Sequence, residues 1–509
     1  MKTSIINKFF KTALHVALVL AVASSLFAQQ QPGDKSIPTS KVERKGKAPV
    51  STEVLNVKLP KPIKATLSNG MRVLIIEDHR FPFVTTYMNI SGAGALYDPS
   101  DKPGLASITA QMLREGTANH NSKQIAELSD QYASNINVIA GFGSPDAIVV
   151  ASGLKETFND WFALTNEIVL QPSFPADEFT KLRQRAKFGL KQQRTNANFL
   201  ANERFASALF GKHPAATVSA TPDSLDAMTP EALKQFHDAH YLPQNTILGI
   251  AGDVDAKTLI PQLEKMFATW KKTDDKVILP ENAAPATTRK LYLVNRPGSV
   301  QTNILLGNVA IDRHSEDFFP MLVTNRILGG GASARFFMNL REEKGYTYGA
   351  YSNMQAVKYP GPWRGNSEVR TDVTAGALKE FLYEMTRIGT EPVPASELKE
   401  AEGSVVASFA LSLETPSELL GNAMTSEIYG FPADYWDTYP RHVMAVTAAD
   451  VQRVAKKYLS PDSLQIVAVG DGAKIQPVLE KLGTVEVYST DGKLQAPKTA
   501  ATEGDKKGN

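Results

Sequence analysis

The 509-residue sequence contains no cysteine. Disulfide bonds, thiolate metal sites and a lipid-bearing cysteine anchor are therefore excluded. Excess charge is also lacking, because the formal net charge is only +2, which argues against nucleic acid or an anionic membrane as a dedicated partner. After the N-terminal segment, no stretch approaches the ~18 consecutive apolar residues of a membrane span. The chain is too long for one hydrophobic core, and we expect several domains.

The N-terminal segment has the features of a secretory signal peptide. A lysine-bearing start precedes an apolar run over residues 12–23, and Ala28 supplies a small residue before three glutamines. Arginine, which is typical of mitochondrial transit peptides, does not occur before Arg44. We therefore expect residues 1–28 to be removed on export, which predicts a periplasmic or secreted protein that is soluble and has no stable membrane span.

Two long segments of the chain repeat at a nearly fixed offset. The segment 229–253 matches 447–471, with an offset of 218, and the Pro-Ala-x-Glu motif at Pro175 recurs at Pro394, with an offset of 219. One such match would mean little, but several that share an offset predict duplicated halves of about 220 residues.

Strand and hairpin signals alternate with long helical patterns in both halves, so we expect an α+β fold rather than a parallel βαβ array. Asn69-Gly70 predicts a hairpin turn near the start of the first half. Helices are expected near residues 103–115, 154–170, 176–195, 229–240, 255–270, 316–328, 376–388, 395–410 and 447–458. The predicted division is a signal peptide (1–28), an extended polar arm (29–54), a first domain (55–275), a linker (276–288), a second domain (289–490) and a disordered tail (491–509).

The stretch from Leu328 to Tyr351 joins a glycine loop to a short helical pattern and then to a strand pattern. Ser333 is placed to cap the helix, and Gly345 is placed to end it in a left-handed conformation. The apolar helix face is expected to comprise Phe336, Phe337 and Leu340. The glycines do not form a phosphate-binding loop, because they are not followed by Gly-Lys-Ser/Thr.

Arg341 lies at the edge of this apolar stripe, and the strand period places Tyr346 and Tyr348 on one face of the following strand. An arginine and a tyrosine can therefore converge at this point. The alternative is purely structural: a core helix and an aromatic core strand, with Arg341 simply solvated.

The run from Leu340 to Tyr348 resembles the second-half signature of the pitrilysin/insulinase family of zinc peptidases, the inverzincins. In that family, glycines precede Leu-Arg-Glu-x-x-Gly-x-x-Tyr, and the arginine and tyrosine bind the substrate backbone. The resemblance covers about residues 55–490. It implies two homologous halves, each with an antiparallel-rich sheet packed by helices, which together form half of a clamshell. It also implies that Arg341 and Tyr348 bind substrate.

The catalytic motif of that family, His-x-x-Glu-His, has no counterpart here. On the matching helix, the positions of the two histidines and the glutamate are occupied by Ser107, Ala110 and Gln111. The third zinc ligand is a glutamate on a later helix, yet no Asp or Glu occurs between Phe179 and Asn202. Serine and glutamine are poor substitutes for two imidazoles. We therefore predict no catalytic residue and no metal site in this chain.

His237 and His240, three residues apart on a predicted helix, are the one alternative metal-binding pair. The matching stretch of the second half, 454–457, has no histidine, which favours a structural role for both.

Some members of the family work as pairs, in which one subunit brings the zinc motif and the other brings the arginine and tyrosine. The resemblance therefore implies a non-catalytic, substrate-binding subunit that is inactive alone. Its partner would be a homologous zinc-bearing catalytic subunit, and the pair would cleave peptide substrates as an exported heterodimer, with zinc in the partner only. The alternative is a catalytically dead scaffold or peptide-binding protein of the same fold.

Overall fold

The computed structural model describes residues 55–495. The first half contains six strands: β1 (Ile63–Thr66), β2 (Arg72–Glu77), β3 (Phe83–Ser91), β4 (Asn135–Ala140), β5 (Asp146–Leu154) and β6 (Thr246–Gly252). They form one sheet in the order β1-β2-β6-β3-β5-β4, in which only β2 and β6 pair in parallel. The turn between β1 and β2 contains Gly70 with φ +87°, which confirms the predicted hairpin.

The second half repeats this arrangement with β7 (Lys290–Asn295), β8 (Gln301–Val309), β9 (Thr347–Met354), β10 (Pro362–Arg370), β11 (Gln465–Gly470) and β12 (Val485–Tyr488). The order is β12-β7-β11-β8-β10-β9, so five strands correspond one to one with those of the first sheet. The outer strand differs, because β1 is antiparallel to β2 whereas β12 is parallel to β7. The α+β fold with two homologous halves is thereby confirmed.

The helices of the first half are α1 (Leu105–Met112), α2 (Ser122–Gln131), α3 (Phe158–Leu170), α4 (Ala176–Gln193), α5 (Ala197–Phe210), α6 (Pro222–Ala227), α7 (Pro230–His240) and α8 (Ala256–Met266). Those of the second half are α9 (Phe318–Leu328), α10 (Arg335–Phe337), α11 (Thr374–Thr390), α12 (Ala395–Leu411), α13 (Pro416–Tyr429), α14 (Tyr435–Met444), α15 (Ala448–Tyr458) and α16 (Gly472–Glu480). All nine predicted helices are present. The matched residues Thr229 and Thr447 are equivalent N-caps, whose side chains accept a backbone N–H from α7 and α15.

Each half donates one helix to the other half. The α5 side chains Leu200 and Phe205 are buried against residues of the second sheet that include Leu305 and Val467. Glycine at position 307 of β8 suits both neighbours, because a Cβ there would overlap the Trp363 carbonyl oxygen of β10 and lie 3.0 Å from the Phe205 ring. The prediction missed α5, whose apolar face is matched to a sheet distant in sequence.

The reciprocal contact is made by α13, which packs on the first sheet. Its buried residues Leu420 and Met424 contact Leu74 and Ile247 of β2 and β6. Here too a glycine makes room, since a Cβ on Gly249 would lie 2.7 Å from the Met424 sulfur. The second face of each sheet is therefore covered by a helix from the opposite half.

Polar contacts reinforce this exchange. Lys358 of the second half donates to Asp146 of the first half at 2.9 Å, and the neighbouring Tyr359 hydroxyl donates to the Gly143 carbonyl at 2.6 Å. Burial raises the pKa of Tyr359 to about 12, so this hydroxyl keeps its proton at neutral pH. The described residues all belong to one compact unit.

The predicted linker, residues 276–288, has neither helix nor strand and is largely exposed, but the domain boundaries themselves stay a prediction. The predicted tail begins with ordered backbone, because residues 491–495 form a turn in which the Gln495 N–H donates to the Val487 carbonyl at 2.7 Å. The predicted signal peptide (1–28) and polar arm (29–54) lie outside the described residues. Within residues 55–495, no helix has the length and apolar character needed to cross a membrane.

The helix exchange predicts how the chain behaves after one cut in the exposed segment 271–288. Limited proteolysis should give two large fragments on a denaturing gel. In native size-exclusion chromatography the fragments should still elute together, because α5 and α13 hold them. As a control, Met424→Asp places an unpaired charge in the interface and should let the nicked halves separate. Separation of nicked wild-type fragments without denaturant would contradict the interlocked arrangement.

Candidate functional site

Arg341 lies on an unusual helical segment. After the single turn of α10, the chain continues as a π-helix over Met338–Glu343, closed by the Lys344 N–H, which donates to the Asn339 carbonyl at 3.0 Å. Wide turns of this kind are frequent at functional sites. The helix then ends at Gly345, with φ +61°, which confirms the predicted left-handed residue. The predicted Ser333 cap is wrong, because α10 begins after Ala334 and has no side-chain cap.

The apolar residues of this segment, Phe336, Phe337 and Leu340, are buried as expected. Arg341 itself is about half exposed, with its guanidinium carbon 4.6 Å from the centre of the Phe337 ring and its Nε 3.5 Å from Glu342. The guanidinium thus rests on a buried ring while its donors face solvent.

Tyr348 lies on β9, the outermost strand of the second sheet. A β-bulge occurs here, because the pairing register between β9 and β10 shifts between Ser367 and Val369. The Thr347 hydroxyl stabilises the bulge by donating to the Glu368 carbonyl at 2.7 Å and accepting the Gly349 N–H at 3.0 Å. Bulges can redirect a side chain beside a functional site.

The consequence is that Tyr348 is 91% exposed, and its hydroxyl forms no hydrogen bond within residues 55–495. Tyr346 instead precedes the strand and packs against the core of the second half. The prediction that the two tyrosines share one face is therefore wrong. The alternative in which Tyr348 lines the core is also wrong. Arg341 and Tyr348 both present unused donors to solvent, close in sequence on either side of the Gly345 turn.

Two buried polar contacts that the sequence did not reveal anchor this segment. Arg335 is buried and donates from Nε and Nη2 to the Glu397 carboxylate, with both distances 2.8 Å. The buried Asn339 donates to Glu384 at 2.9 Å. A charged residue within an otherwise apolar helix face is the signal that could have pointed to Arg335. These contacts fix the π-helix on which Arg341 is carried.

The three positions that resemble the metal motif lie on α1. Gln111 is exposed and its amide donates to the Ser107 carbonyl at 3.2 Å, whereas Ala110 is buried in the core of the first half. Their helical spacing places the three positions on one side of α1, with Ala110 at its buried edge and Gln111 at its exposed edge. An amide, a hydroxyl and a methyl group do not fit a zinc ion, which requires imidazole, thiolate or carboxylate ligands.

No other part of the described chain replaces this site, because residues 55–495 contain no group of three or more His, Asp or Glu side chains placed to hold a metal ion. His237 is buried, and its Nε2 donates to the Val169 carbonyl at 2.8 Å. The ring of His240 stacks on Phe236 with 4.2 Å between ring centres. Both histidines thus contact other residues of the first half, and the absence of a metal site stays a prediction.

The N-terminus of α1 is capped by Asp98, whose carboxylate accepts the N–H of Gly104 at 2.6 Å and of Ala106 at 2.8 Å. Burial nevertheless raises the pKa of Asp98 to about 6. Its counterpart in the second half, Asp317, behaves in the opposite way. Burial alone would raise the pKa of Asp317, but hydrogen bonds from Tyr458, Arg453 and Lys457 outweigh it and lower the pKa to about 2.

Comparison with known proteins identifies two family matches. Residues 72–223 match the family described as "Insulinase (Peptidase family M16)", and residues 227–404 match "Peptidase M16 inactive domain". Similar proteins include an uncharacterized zinc protease of Bacillus subtilis, 22% identical over 404 residues that cover 78% of this chain and 95% of that protein. Another, from Rickettsia felis, is 25% identical over 352 residues, covering 68% and 83%.

Solved structures share the fold. A peptidase M16 inactive domain from Pseudomonas fluorescens has a TM-score of 0.75 and 25% identity, covering 81% of this chain and 98% of that one. A protease from Helicobacter pylori has a TM-score of 0.74 and 19% identity, covering 81% and 100%. The insulinase match spans α1 and α4, where this chain lacks the ligands of a zinc site.

The composition of α1 predicts that the purified chain binds no stoichiometric zinc and hydrolyses no peptide. Metal analysis after dialysis, together with a peptidase assay, tests this directly. The double variant Ser107→His/Gln111→His places two imidazoles one turn apart and should bind zinc weakly, which verifies that the assay detects such a site. One tightly held zinc per wild-type chain, with activity lost on chelation, would contradict the prediction.

Asp98 predicts a distinct pH dependence of stability. Since its pKa is raised to about 6 in the folded chain, its contribution is fully present below pH ~4 and is lost as pH rises through ~6. Asp98→Asn should remove this decline, so the difference in free energy of unfolding between variant and wild type should change across that range. Urea unfolding at several pH values measures it, with Asp101→Asn as an exposed control. An identical pH profile for wild type and Asp98→Asn would refute the assignment.

Proposed function

Since the chain belongs to the insulinase family of M16 peptidases, we propose that it is the non-catalytic, substrate-binding subunit of an exported heteromeric zinc peptidase. Its partner would be a homologous subunit that carries His-x-x-Glu-His and the zinc ion. The observation that supports this most directly is the contrast between the two motif regions. The donors of Arg341 and Tyr348 are present and exposed, whereas the positions of the metal motif carry no ligand.

The position of Tyr348 fits the binding of an extended peptide. Because β9 is an edge strand, the outer backbone groups of its first residues can pair with an added strand, whereas the Ser352 N–H already donates to the Gly329 carbonyl at 2.9 Å. A peptide bound in this way would pass the Tyr348 hydroxyl, which the bulge directs into solvent. Arg341, with its guanidinium over the Phe337 ring, would supply a cationic donor at the same peptide.

Such donors matter for hydrolysis in two ways. They hold the scissile bond in one orientation, and they stabilise the negative charge that develops on the carbonyl oxygen. The zinc chemistry itself would come entirely from the partner. This division of labour requires that the two subunits face each other across the bound peptide, with the second half of this chain opposite the metal helix of the partner.

The test uses a partner chosen from the same genome: an exported family member with His-x-x-Glu-His, encoded beside this chain. Co-expressed and purified, the pair should cleave peptides that neither subunit cleaves alone. Arg341→Ala and Tyr348→Phe should leave assembly and the melting temperature unchanged while lowering kcat. Loss of a donor used in the transition state costs ~3 kcal/mol, which corresponds to a fall of roughly 100-fold.

Tyr383→Phe, which removes the hydroxyl of another half-exposed tyrosine, on helix α11, serves as the matched control. It should leave kcat and KM unchanged. An effect of Arg341→Ala on KM alone would assign Arg341 to ground-state positioning of the peptide. Wild-type rates with both Arg341→Ala and Tyr348→Phe, at unchanged assembly, would refute the substrate-binding role and favour a dead scaffold.

A further inference from the structure

A groove lined by cations runs beside the C-terminal end of α4. Two adjoining hollows, of about 320 Å³ and 610 Å³, share Arg194 and Asp491 in their walls. The sequence near this place is unusual, because residues 180–201 hold six Lys or Arg residues and no Asp or Glu. We call it the cationic groove and define it by Lys187, Phe188, Lys191, Arg194, Arg204 and Tyr488.

Arg204 lies at the inner end of the groove with most of its donors unused. Its guanidinium lies 4.2 Å from the centre of the Tyr488 ring and 5.4 Å from that of Tyr292, which fixes its plane. One Nη donates to the Ser207 hydroxyl, whereas the buried Nε has no hydrogen-bond partner within residues 55–495. Arg204 also forms no ion pair in that part of the chain. A half-buried guanidinium with a single neutral acceptor is poorly satisfied, and a carboxylate would complete it.

Unlike Arg204, two other cations of the groove already have carboxylate partners. Arg194 is paired with Glu203, and Lys187 with Asp226, so these cations are already neutralised. Lys191 is exposed and forms no ion pair within the described chain. The remaining anions near the groove are Asp491, which lines both hollows, and Glu486, which accepts the Tyr488 hydroxyl at 2.6 Å.

The walls of the two hollows near Arg204 and Lys191 suit a peptide rather than a lone ion. Phe188 is 64% exposed and stands between Lys187 and Lys191 on α4, where it offers apolar contact to a side chain. Around Arg204, the wall contains the hydroxyl-bearing residues Ser207, Thr217 and Ser219. A segment that carries carboxylates spaced along an extended backbone would meet Arg204 in one hollow and Lys191 in the other, and an apolar side chain near Lys191 would contact Phe188.

We propose that the cationic groove binds an acidic segment of a peptide, with one carboxylate on the Arg204 guanidinium and a second beside Lys191. The identity of the ligand as a peptide rests on the proposed function, but the groove is separate from Arg341 and Tyr348. It would select substrates by acidic residues remote from the bond to be cleaved. Binding energy at such a remote contact increases the share of bound acidic peptide without any contact to the reacting atoms.

The experiment measures binding by the purified chain alone. Fluorescence anisotropy would compare a labelled twelve-residue peptide rich in Asp and Glu with the same peptide carrying Asn and Gln. The acidic peptide should bind at least ~10-fold more tightly at low salt, and its affinity should fall as NaCl screens the charges. Lys191→Glu and Arg204→Met should each remove most of this preference. Arg204→Met keeps an apolar stem against Tyr488, and a melting curve verifies that the fold persists.

Lys379→Glu is the matched control, because it makes the same charge change on an exposed lysine of α11 that forms no ion pair in the described residues. It should leave the affinity unchanged. Equal binding of the acidic and amide peptides, or full affinity in Lys191→Glu, would overturn the proposal. Displacement of the acidic peptide by inorganic phosphate, at an ionic strength where NaCl has no effect, would instead identify a small-anion site and also overturn it.

The binding test of the cationic groove and the kinetic test of the reconstituted pair can fail separately. Acidic-peptide binding can be present when Arg341→Ala has no effect on a reconstituted pair, in which case only the heteromeric role fails. Conversely, a pair that depends on Arg341 and Tyr348 but shows no preference for acidic peptides would refute the cationic groove alone.

Discussion

Everything in this chain depends on covering two sheets on both faces with the helices of one duplicated sequence. Each half covers one face of its own sheet, and the opposite face is buried only because α5 and α13 cross between the halves. Full burial of a leucine or phenylalanine contributes about 1.5–3 kcal/mol, so the crossing side chains together supply a substantial part of the stability. Positions 249 and 307 are glycines, and a Cβ at either one would crowd a side chain of the crossing helix, Met424 or Phe205. The exchange makes the two halves one structural unit, although the sequence reads as two copies.

The interlocked halves hold the backbone of the second-half motif in place, while the side-chain donors of Arg341 and Tyr348 stay exposed. The buried pairs Arg335–Glu397 and Asn339–Glu384 fix the start of the π-helix, and the Thr347 hydroxyl fixes the bulge. Arg341 and Tyr348 therefore extend from backbone that is determined by packing, which is what a positioning site requires. The first half differs in the side chains that its anchored helix presents. Helix α1 is equally well anchored, through Asp98, but the side chains it presents are those of a surface or a core.

Patterns with a local cause could be predicted from the sequence, and those with a distant cause could not. The repeat offset foretold the matching strand orders, and nine helices followed from apolar periodicity and caps such as Thr229. Six helices of the described chain were missed, α2, α5, α6, α13, α14 and α16. For α5 and α13 the reason is that their apolar residues match a sheet far away in sequence. For the site, the family resemblance singled out Arg341 and Tyr348, but the strand period placed Tyr348 on the same face as Tyr346, which the structure contradicts. A bulge depends on the pairing of β9 with β10, and period-two reasoning assumes that no residue is inserted.

The physical roles of the two motif regions explain why one can lose its chemistry while the other keeps it. Position 110 lies in the core of the first half, so a glutamate there would be a buried carboxylate, which is costly unless a metal and its ligands compensate. Once zinc is absent, alanine at this position relieves that cost, and Ser107 and Gln111 form a contact of their own. No gain in stability of this kind accounts for a tyrosine at position 348. A tyrosine that is 91% exposed on an edge strand buries little area and makes no hydrogen bond within the described chain, so folding does not explain its presence. Stability therefore accounts for the residues of α1, whereas the exposure of Tyr348 adds little to folding and is what the proposed substrate-binding role would use.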